Sequence, residues 1–221
     1  MSNDLEFIKE EKEDIGKIFV DINYAIDNVS PFLDKQVLNR RKYYIKKEVL
    51  KKYIDMLNSA EIDSSKKKSF FSNLFNSRGN SLNKLNAYKN EHREDFIQVR
   101  NCSKCACLNC VKECKFNTCL GCKPGSFIKK CDKEKINITC HENWLLDLTN
   151  NNTGKEAKYK VLATMQDCEL DEQYIVFQNI MDSNDKFILH YYPGISEDEY
   201  GEITDPKEFD FIVETFEGRD L

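Results

Sequence analysis

Residues 102 to 140 read CSKCACLNCVKECKFNTCLGCKPGSFIKKCDKEKINITC and contain nine of the ten cysteines in this chain of 221 residues. Three pairs of these cysteines are separated by two residues, and three cysteines stand apart: Cys102 and Cys105, Cys107 and Cys110, Cys119 and Cys122, then Cys114, Cys131 and Cys140. A Cys-x2-Cys loop turns tightly enough for both sulfurs to lie about 2.3 Å from one tetrahedral ion. The repeated spacing therefore predicts a metal module that spans residues 101 to 143.

The number of thiolates predicts two zinc ions with four sulfurs each, or three ions if some sulfurs bridge. In cysteine number and compactness the module resembles structural multi-zinc modules, among them the nine-cysteine clusters of pre-SET domains and of one metallothionein lobe. The spacing leaves the ligand pairing open. One assignment joins Cys102 and Cys105 with Cys119 and Cys122, and joins Cys107 and Cys110 with Cys131 and Cys140. The neighbouring His141 is a candidate to replace one sulfur.

An iron-sulfur cluster is the rival metal centre, because Cys114-x4-Cys119-x2-Cys122 reproduces part of the plant-type ferredoxin spacing. The density of additional thiols favours zinc, since a spare thiol beside a redox cluster invites ligand exchange. A catalytic zinc site would keep one position open for water and place an acid or base beside it. No motif of that kind accompanies the cysteines, so we expect a structural site in a protein that is not an enzyme.

Cysteine usage and charge also indicate the compartment and the kind of partner. The N-terminus lacks the features of a secretory signal, and no apolar stretch approaches the roughly 20 residues that cross a bilayer. We therefore expect a cytoplasmic protein, in which clustered cysteines bind metal instead of forming disulfides. Residues 35 to 139 are basic, whereas residues 140 to 221 carry 19 acidic and 6 basic side chains. The basic middle can attract an anionic partner, but the acidic tail can also neutralise it.

Apolar residues at helical spacing predict a helical hairpin over residues 1 to 58. The stripe of the first helix runs from Ile15 to Leu33, and Ser30 and Pro31 predict the start of the second helix, whose stripe includes Ile45 and Leu57. A basic linker over residues 59 to 80 and a third helix over residues 81 to 100 should follow. The linker contains residues that could contact an anionic membrane surface weakly: Lys66, Lys67, Lys68, Phe70, Phe71 and Phe75.

The acidic C-terminal segment, residues 155 to 221, predicts an antiparallel sheet with one packed helix. Three aromatic and β-branched runs, over residues 159 to 165, 174 to 181 and 187 to 192, indicate strands. Asp205, Pro206 and Glu208 predict the N-cap, the first position and the reciprocal glutamate of a final helix. The whole chain is therefore expected to be α+β, with N-terminal helices, a central zinc module and a small sheet.

Residues 155 to 220 resemble the bacterial family catalogued as domain of unknown function 1292. The features that carry the resemblance are the strand that begins at Tyr159, the Glu172-Gln-Tyr-Ile-Val-Phe and Phe187-Ile-Leu-His-Tyr-Tyr strands, the acidic stretch from Glu197 to Glu202, and the closing helix. Members of that family are typically short and acidic and have no established activity. The resemblance therefore implies a fold for the last third of the chain and no catalytic residue.

Taken together, these patterns predict a nonenzymatic, zinc-stabilised scaffold or adaptor that binds another protein. The alternatives are a nucleic-acid-binding zinc protein that contacts phosphates through the basic middle, and an iron-sulfur redox protein. Cys168 is expected to be a free or partly buried thiol, and His92 and His190 are expected to be packing or surface residues. The sequence does not indicate an oligomeric state.

Overall fold

A computed structural model of the chain describes residues 3 to 66, 77 to 112, 123, 125 to 132, 134 to 149, 154 to 195 and 197 to 218. These residues fall into two units. The helical unit comprises Met1–Ser103 and Leu108–Val111, and the sheet unit comprises Lys104–Cys107 and Lys112–Leu221. Helices in one unit and an antiparallel sheet in the other confirm the predicted α+β class.

The N-terminal helices are built around a single hydrophobic core. Their bounds are α1 (Asn3–Val29), α2 (Lys35–Leu38), α3 (Lys42–Lys66), α4 (Ser77–Glu91) and α5 (Arg93–Lys104). The predicted stripe of α1 from Ile15 to Val29 is buried, which confirms that α1 is amphipathic. It packs against α3, whose buried residues include Leu50, Tyr53 and Leu57. Burying each such side chain contributes about 1.5 to 3 kcal/mol.

The predicted start of the second helix at Pro31 is wrong. The N–H of Ser30 instead donates to the carbonyl of Ile26 (2.9 Å) at the end of α1, and α3 begins only at Lys42. Proline has no N–H with which to continue a helix, and the extended backbone of Asp34 (φ −60°, ψ 149°) separates this turn from the short α2. The predicted stripe shifts accordingly, and Ile45 is 47% exposed.

The predicted third helix, residues 81 to 100, is two helices that meet at His92. The Nδ1 atom of His92 lies 3.0 Å from Oδ2 of Asp95 in the first turn of α5. The predicted linker is partly helical, because α3 continues to Lys66 and α4 starts at Ser77. The proposed membrane-contact segment lies outside the described residues, except for the backbone of Lys66. Of the helices in the described ranges, none is long and apolar enough to cross a membrane.

The sheet unit contains one antiparallel sheet and one helix. The strands are β1 (Ser126–Cys131), β2 (Ile136–His141), β3 (Leu145–Thr149), β4 (Glu156–Asp167), β5 (Glu172–Asn179), β6 (Lys186–Tyr192) and β7 (Glu199–Gly201), and the helix is α6 (Pro206–Glu217). Their order is β1-β2-β4-β5-β6-β7. The strand β4 is long enough to pair with β2 over its second half and with β3 over its first half. The three predicted strands correspond to β4, β5 and β6 and are confirmed, whereas β1, β2, β3 and β7 were not predicted.

The helix α6 packs on one face of the sheet and begins where its capping residues predict. The side chain of Asp205 accepts a hydrogen bond from the N–H of Lys207, and Gly218 ends the helix with a φ of 78°. Ile212 is buried against Met165 and other residues of β2, β4 and β5. The predicted reciprocal cap by Glu208 is wrong, because its Oε1 accepts a hydrogen bond from the hydroxyl of Tyr174 (2.7 Å). This bond ties the first turn of α6 to β5.

The opposite face of the sheet carries a second apolar cluster, rich in aromatic rings. Its buried members are Val161, Ile175, Phe177 and Tyr191. The only tryptophan of the chain, Trp144, packs edge-on against Tyr191 with ring centroids 6.1 Å apart. The two faces of the sheet thus have separate cores, and both cores lie within the sheet unit.

Candidate metal centre

The nine cysteines of the predicted module are divided among both units and a part of the chain that is not described. Cys102, in α5, and Cys110 belong to the helical unit, whereas Cys105, Cys107, Cys131 and Cys140 belong to the sheet unit. Cys114, Cys119 and Cys122 lie outside the described residues. Within the described ranges, no group of three or more His, Cys, Asp or Glu side chains is placed to hold a metal ion. Within these ranges, the predicted ligands therefore come together in twos at most.

Cys105 and Cys107 are two predicted ligands whose side chains interact with each other. Their side chains are hydrogen-bonded to each other, and this bond together with burial raises the pKa of Cys105. The backbone N–H groups of Cys107 and Ile128 also hydrogen-bond to the sulfur of Cys105, which favours its thiolate form. A cation placed between the two sulfurs would replace their protons.

The position of this pair is fixed by the edge of the sheet. The N–H of Ala106, between the two cysteines, donates to the carbonyl of Ile128 in β1 (2.8 Å). Lys104, one residue before the pair, forms an ion pair with Glu142 (3.1 Å), and its Nζ lies 5.9 Å from the ring centre of Phe127. The turn that contains Ala106 thus holds the two cysteines beside β1.

This arrangement fits a structural metal site in its donor chemistry. Two close sulfurs, with backbone N–H groups directed at one of them, are the ligand type that zinc prefers. The described residues supply two donors of this type, and a set of four would need other cysteines of the chain as well. When bound, zinc would supply strong thiolate bonds that order the segment.

Cys131 and Cys140 do not share an ion, so the predicted pairing of Cys107 and Cys110 with both of them is wrong. In the β1–β2 register, Cys140 is opposite Phe127, whereas Cys131 is opposite Asn137 at the other end of the hairpin. Asn137, the partner of Cys131, lies three positions along β2 from Cys140, which corresponds to about 10 Å. Two sulfurs on one zinc are no more than about 5 Å apart, since each lies about 2.3 Å from the ion. At most one of the two cysteines can therefore join any given site.

The two cysteines also lie on opposite faces of the sheet. Alternation along β2 places Cys140 on the face of Ile138, against which α6 packs, and burial raises its pKa. Cys131 shares the other face with Asn137, its cross-strand neighbour. If both are ligands, they serve different ions.

Cys102 is packed in the helical core, where it lies with Val99 and Leu108. The side-chain amide of Gln98 donates to its sulfur (Nε2 to Sγ, 3.7 Å), a contact that stabilises a thiolate. The carbonyl of Cys110 accepts a hydrogen bond from Arg41 (3.1 Å). Polar contacts within the helical unit thus fix the positions of Cys102 and Cys110, two of the predicted ligands.

No family model matches the chain, and neither a curated protein nor a solved structure matches it. The resemblance of residues 155 to 220 to domain of unknown function 1292 stays a prediction.

His141 is oriented by the sheet. Its Nε2 lies 3.0 Å from the hydroxyl oxygen of Thr164, and its ring packs edge-on against Trp144. Burial, with a smaller contribution from the charge of Lys123, lowers its pKa to about 4. The imidazole is therefore neutral at neutral pH, which is the form that binds metals. Its strand position places it on the face opposite Cys140, so these consecutive residues do not bind the same ion.

Cys168 lies outside the predicted module and is exposed. Its thiol donates to the carbonyl of Glu134 (2.7 Å) in the turn between β1 and β2. This position agrees with the prediction that Cys168 is a thiol outside the metal module.

Two features of the sheet unit were not predicted from the sequence. The strands β1 and β2 were hidden within the cysteine pattern, although the alternating run Ile136-Asn-Ile-Thr could have indicated a strand. The second feature is the position of His190 between two carboxylates, with Nδ1 3.4 Å from Glu172 and Nε2 3.4 Å from Glu208. These partners come from β5 and α6, so no local signal could have identified them.

Proposed function

We propose that the protein is a nonenzymatic scaffold or adaptor whose centre is ordered by zinc and which binds another protein. The observation that supports the metal part is the pair Cys105 and Cys107, whose side chains are hydrogen-bonded to each other, with backbone N–H groups of Cys107 and Ile128 at the sulfur of Cys105. Eight lysines between residues 101 and 139 support a thiolate-rich site, because their charge offsets that of the ligands. We further propose a cytoplasmic location, where such thiols stay reduced.

The adaptor part of the proposal is supported by the division of the chain. Each unit has a hydrophobic core of its own, and the cysteine segment contributes residues to both units. A metal that is bound by cysteines of one unit would stabilise that unit. The ligands already have structural contacts, from Gln98 and Ile128, which is typical of structural zinc sites.

Metal analysis of the native protein tests the proposal. The protein should be purified without added metal, and its zinc, iron and mass should be measured under native conditions. We expect two zinc ions per chain, or three if sulfurs bridge. A brown sample with stoichiometric iron would favour the iron-sulfur alternative. A protein that is free of metal and yet has an ordered cysteine segment, residues 101 to 143, would contradict the proposal.

A second candidate function is nucleic-acid binding, which is favoured by exposed basic side chains in α3 and just before it. Arg40, Lys42 and Lys51 are exposed and form no ion pair with any described residue. The Nζ of Lys47 lies 4.5 Å from the ring centre of Tyr44, so an aromatic surface accompanies these charges. A labelled single-stranded oligonucleotide should then bind with an affinity that falls steeply as salt rises. No binding at low salt would exclude this candidate.

A further inference from the structure

Cys105 and Cys107 are thiols in direct contact with each other. Their side chains are hydrogen-bonded, and Ala106 alone separates them in the sequence. Cys131 and Cys140, by contrast, face opposite sides of the sheet and lie at different ends of the β1–β2 hairpin. Contact between two sulfurs permits a reaction that ligands held apart do not undergo, namely the formation of a disulfide between them.

The backbone between the two cysteines allows such a bond. Two cysteines can be bridged when their Cα atoms are less than about 7 Å apart. Consecutive Cα atoms lie about 3.8 Å apart, so two steps exceed this limit only where the chain is nearly straight. Ala106 and Cys107 belong to a turn, which is fixed to β1 by the bond from Ala106 to Ile128. A disulfide therefore requires rotation of the two side chains and leaves β1 in place.

The pair lies at the surface of the sheet unit, where a small oxidant can reach it. Both cysteines are half-buried, and their neighbours Lys104 and Ala106 are exposed. Cys102 differs from them, because it is buried in the helical core and its sulfur accepts a hydrogen bond from the side chain of Gln98. An oxidant dissolved in water should therefore react with the pair before it reacts with Cys102.

We propose that Cys105 and Cys107 are a redox pair, which a small disulfide such as glutathione disulfide links to each other and thereby removes from metal binding. The inference rests on the proposed zinc function and adds the regulation of that site. The thiolate is the form of cysteine that binds a metal, and a sulfur in a disulfide is no longer a thiolate. An ion bound by this pair would thus lose two of its ligands.

The reaction proceeds in two exchange steps. A thiolate of the pair attacks one sulfur of glutathione disulfide, forms a mixed disulfide and releases one glutathione as its thiolate. The second sulfur of the pair then attacks the mixed disulfide, forms the bond between Cys105 and Cys107, and releases the other glutathione. The pair loses two electrons and two protons, and the two molecules of reduced glutathione carry them away.

The same chemistry makes the change reversible. A disulfide that lies at the surface and closes a ring across a single residue belongs to the labile class, which is reduced more readily than structural disulfides. Reduced glutathione therefore keeps Cys105 and Cys107 as thiols under ordinary cytoplasmic conditions. A rise in glutathione disulfide shifts the exchange towards the disulfide and lowers the metal content.

Oxidation of the zinc-loaded full chain with about one molecule of glutathione disulfide per chain tests the proposal. Free thiols are alkylated with one label, and thiols released by later reduction are alkylated with a second label. Cleavage after Lys104 and Lys112 yields one peptide with three cysteines, Cys105, Cys107 and Cys110. Fragmentation of this peptide should show the second label on Cys105 and Cys107 and the first label on Cys110.

Native mass spectrometry of the same samples measures the effect on the metal. Oxidation should remove about one zinc ion per chain, and reduced glutathione with added zinc should restore it. Cys107→Ser removes the second sulfur, so glutathione should remain attached to Cys105 as a mixed disulfide. Cys168→Ser is the matched control, because that thiol is exposed and lies outside the metal module, so this variant should respond like the unaltered protein.

Three results on the unaltered chain would overturn the proposal: a glutathione adduct that persists on the pair, a second label on Cys110 together with one of the pair, or a disulfide between Cys105 and Cys107 with full zinc content. Zinc measured before oxidation separates this proposal from the zinc scaffold. A chain that holds no zinc and yet forms the disulfide contradicts the scaffold, whereas a zinc-loaded chain in which the pair is not oxidised contradicts the redox pair alone.

Discussion

The side chain of Cys105 is held in place by backbone contacts within the sheet unit. Its backbone neighbours Cys107 and Ile128 direct N–H groups at its sulfur, and Ala106 fixes the segment to β1. If Cys105 is a ligand of the proposed zinc, these contacts would preorganise it. We therefore expect substitution of Cys105 to have a strong effect on the binding of the proposed zinc.

Replacing both Cys105 and Cys107 with serine should release about one zinc ion per chain and destabilise the segment beside β1. Structural zinc contributes on the order of 10 kcal/mol of apparent folding free energy in small modules, so the effect should be large. Zinc measured by native mass spectrometry checks the result. Cys168→Ser is the matched control, because that thiol is exposed and lies in the turn after β4. Unchanged zinc in the double variant would remove the pair from the ligand set.

Asp132 orders the turn between β1 and β2. Its Oδ1 accepts hydrogen bonds from the N–H groups of Glu134, Lys135 and Ile136, at 2.9, 2.9 and 3.0 Å. We expect Asp132→Ala to lower the free energy of unfolding by about 1 to 3 kcal/mol, because three amides lose their acceptor. Chemical denaturation followed by Trp144 fluorescence measures the change. Asp182→Ala removes an acceptor from one amide, that of Asn184, and should cost less.

The pKa of His141 predicts how stability depends on pH. Because its folded pKa is about 4 against a usual value of 6.5, the unfolded chain binds the proton more tightly. Stability should therefore decrease as the pH falls from 6.5 towards 4 and should not change through this group above 6.5. The loss is about 1 to 3 kcal/mol, since partial exposure reduces the full conversion.

Comparison with His141→Gln isolates this contribution. The difference in unfolding free energy between the unaltered protein and the variant should shift in favour of the variant as the pH falls. A difference that is constant between pH 7 and pH 4 would show that His141 is not the group responsible.

At the scale of the elements, α6 illustrates what local sequence predicts well. Asp205, Pro206 and Gly218 specify its ends through capping, the proline position and a left-handed residue, all of which act within a few residues. The strands β4, β5 and β6 were predicted for the same reason, because their β-branched and aromatic runs are continuous.

Other elements depend on contacts that local patterns do not contain. At Ser30 and Pro31 the sequence favours a helix start, but the chain uses these residues to end α1. The predicted ligand pairing was wrong for a related reason, because it too was based on local spacing. Cys-x2-Cys spacing reports neighbours along the chain, whereas the β1–β2 register separates Cys131 from Cys140. The register that decides which sulfurs can meet was thus not predictable from the spacing.

The docking of α6 on the sheet depends most on Ile212, which is fully buried. We expect Ile212→Ala to lower the free energy of unfolding of the sheet unit by about 2 to 5 kcal/mol, because it leaves a cavity between α6 and the strands. Denaturation monitored by Trp144 fluorescence measures this change. Phe209→Ala, at a position on the same helix that is 42% exposed, should cost much less. Equal effects of the two substitutions would contradict the assigned face of α6.

At the scale of the whole molecule, the separate cores predict separate unfolding transitions. The helical core contains residues of the helical unit alone, and both sheet cores contain residues of the sheet unit alone. Far-ultraviolet circular dichroism should report mainly the helices, and Trp144 fluorescence should report the sheet unit. We expect the two signals to change at different denaturant concentrations, and a chelator to lower the midpoint of the fluorescence transition. Coincident curves would indicate a single cooperative unit.

The chain passes between the two units three times within nine residues, because Lys104–Cys107 belongs to the sheet unit and Leu108–Val111 to the helical unit. During synthesis on the ribosome, the helical core therefore stays incomplete until Leu108 has emerged, and β2, the strand partner of β1, is made only later. Neither unit can be expressed on its own by truncating the gene at a single position, because each unit takes residues from two separate parts of the chain. Insertion of a tag or a protease site in this stretch would interrupt both halves at once.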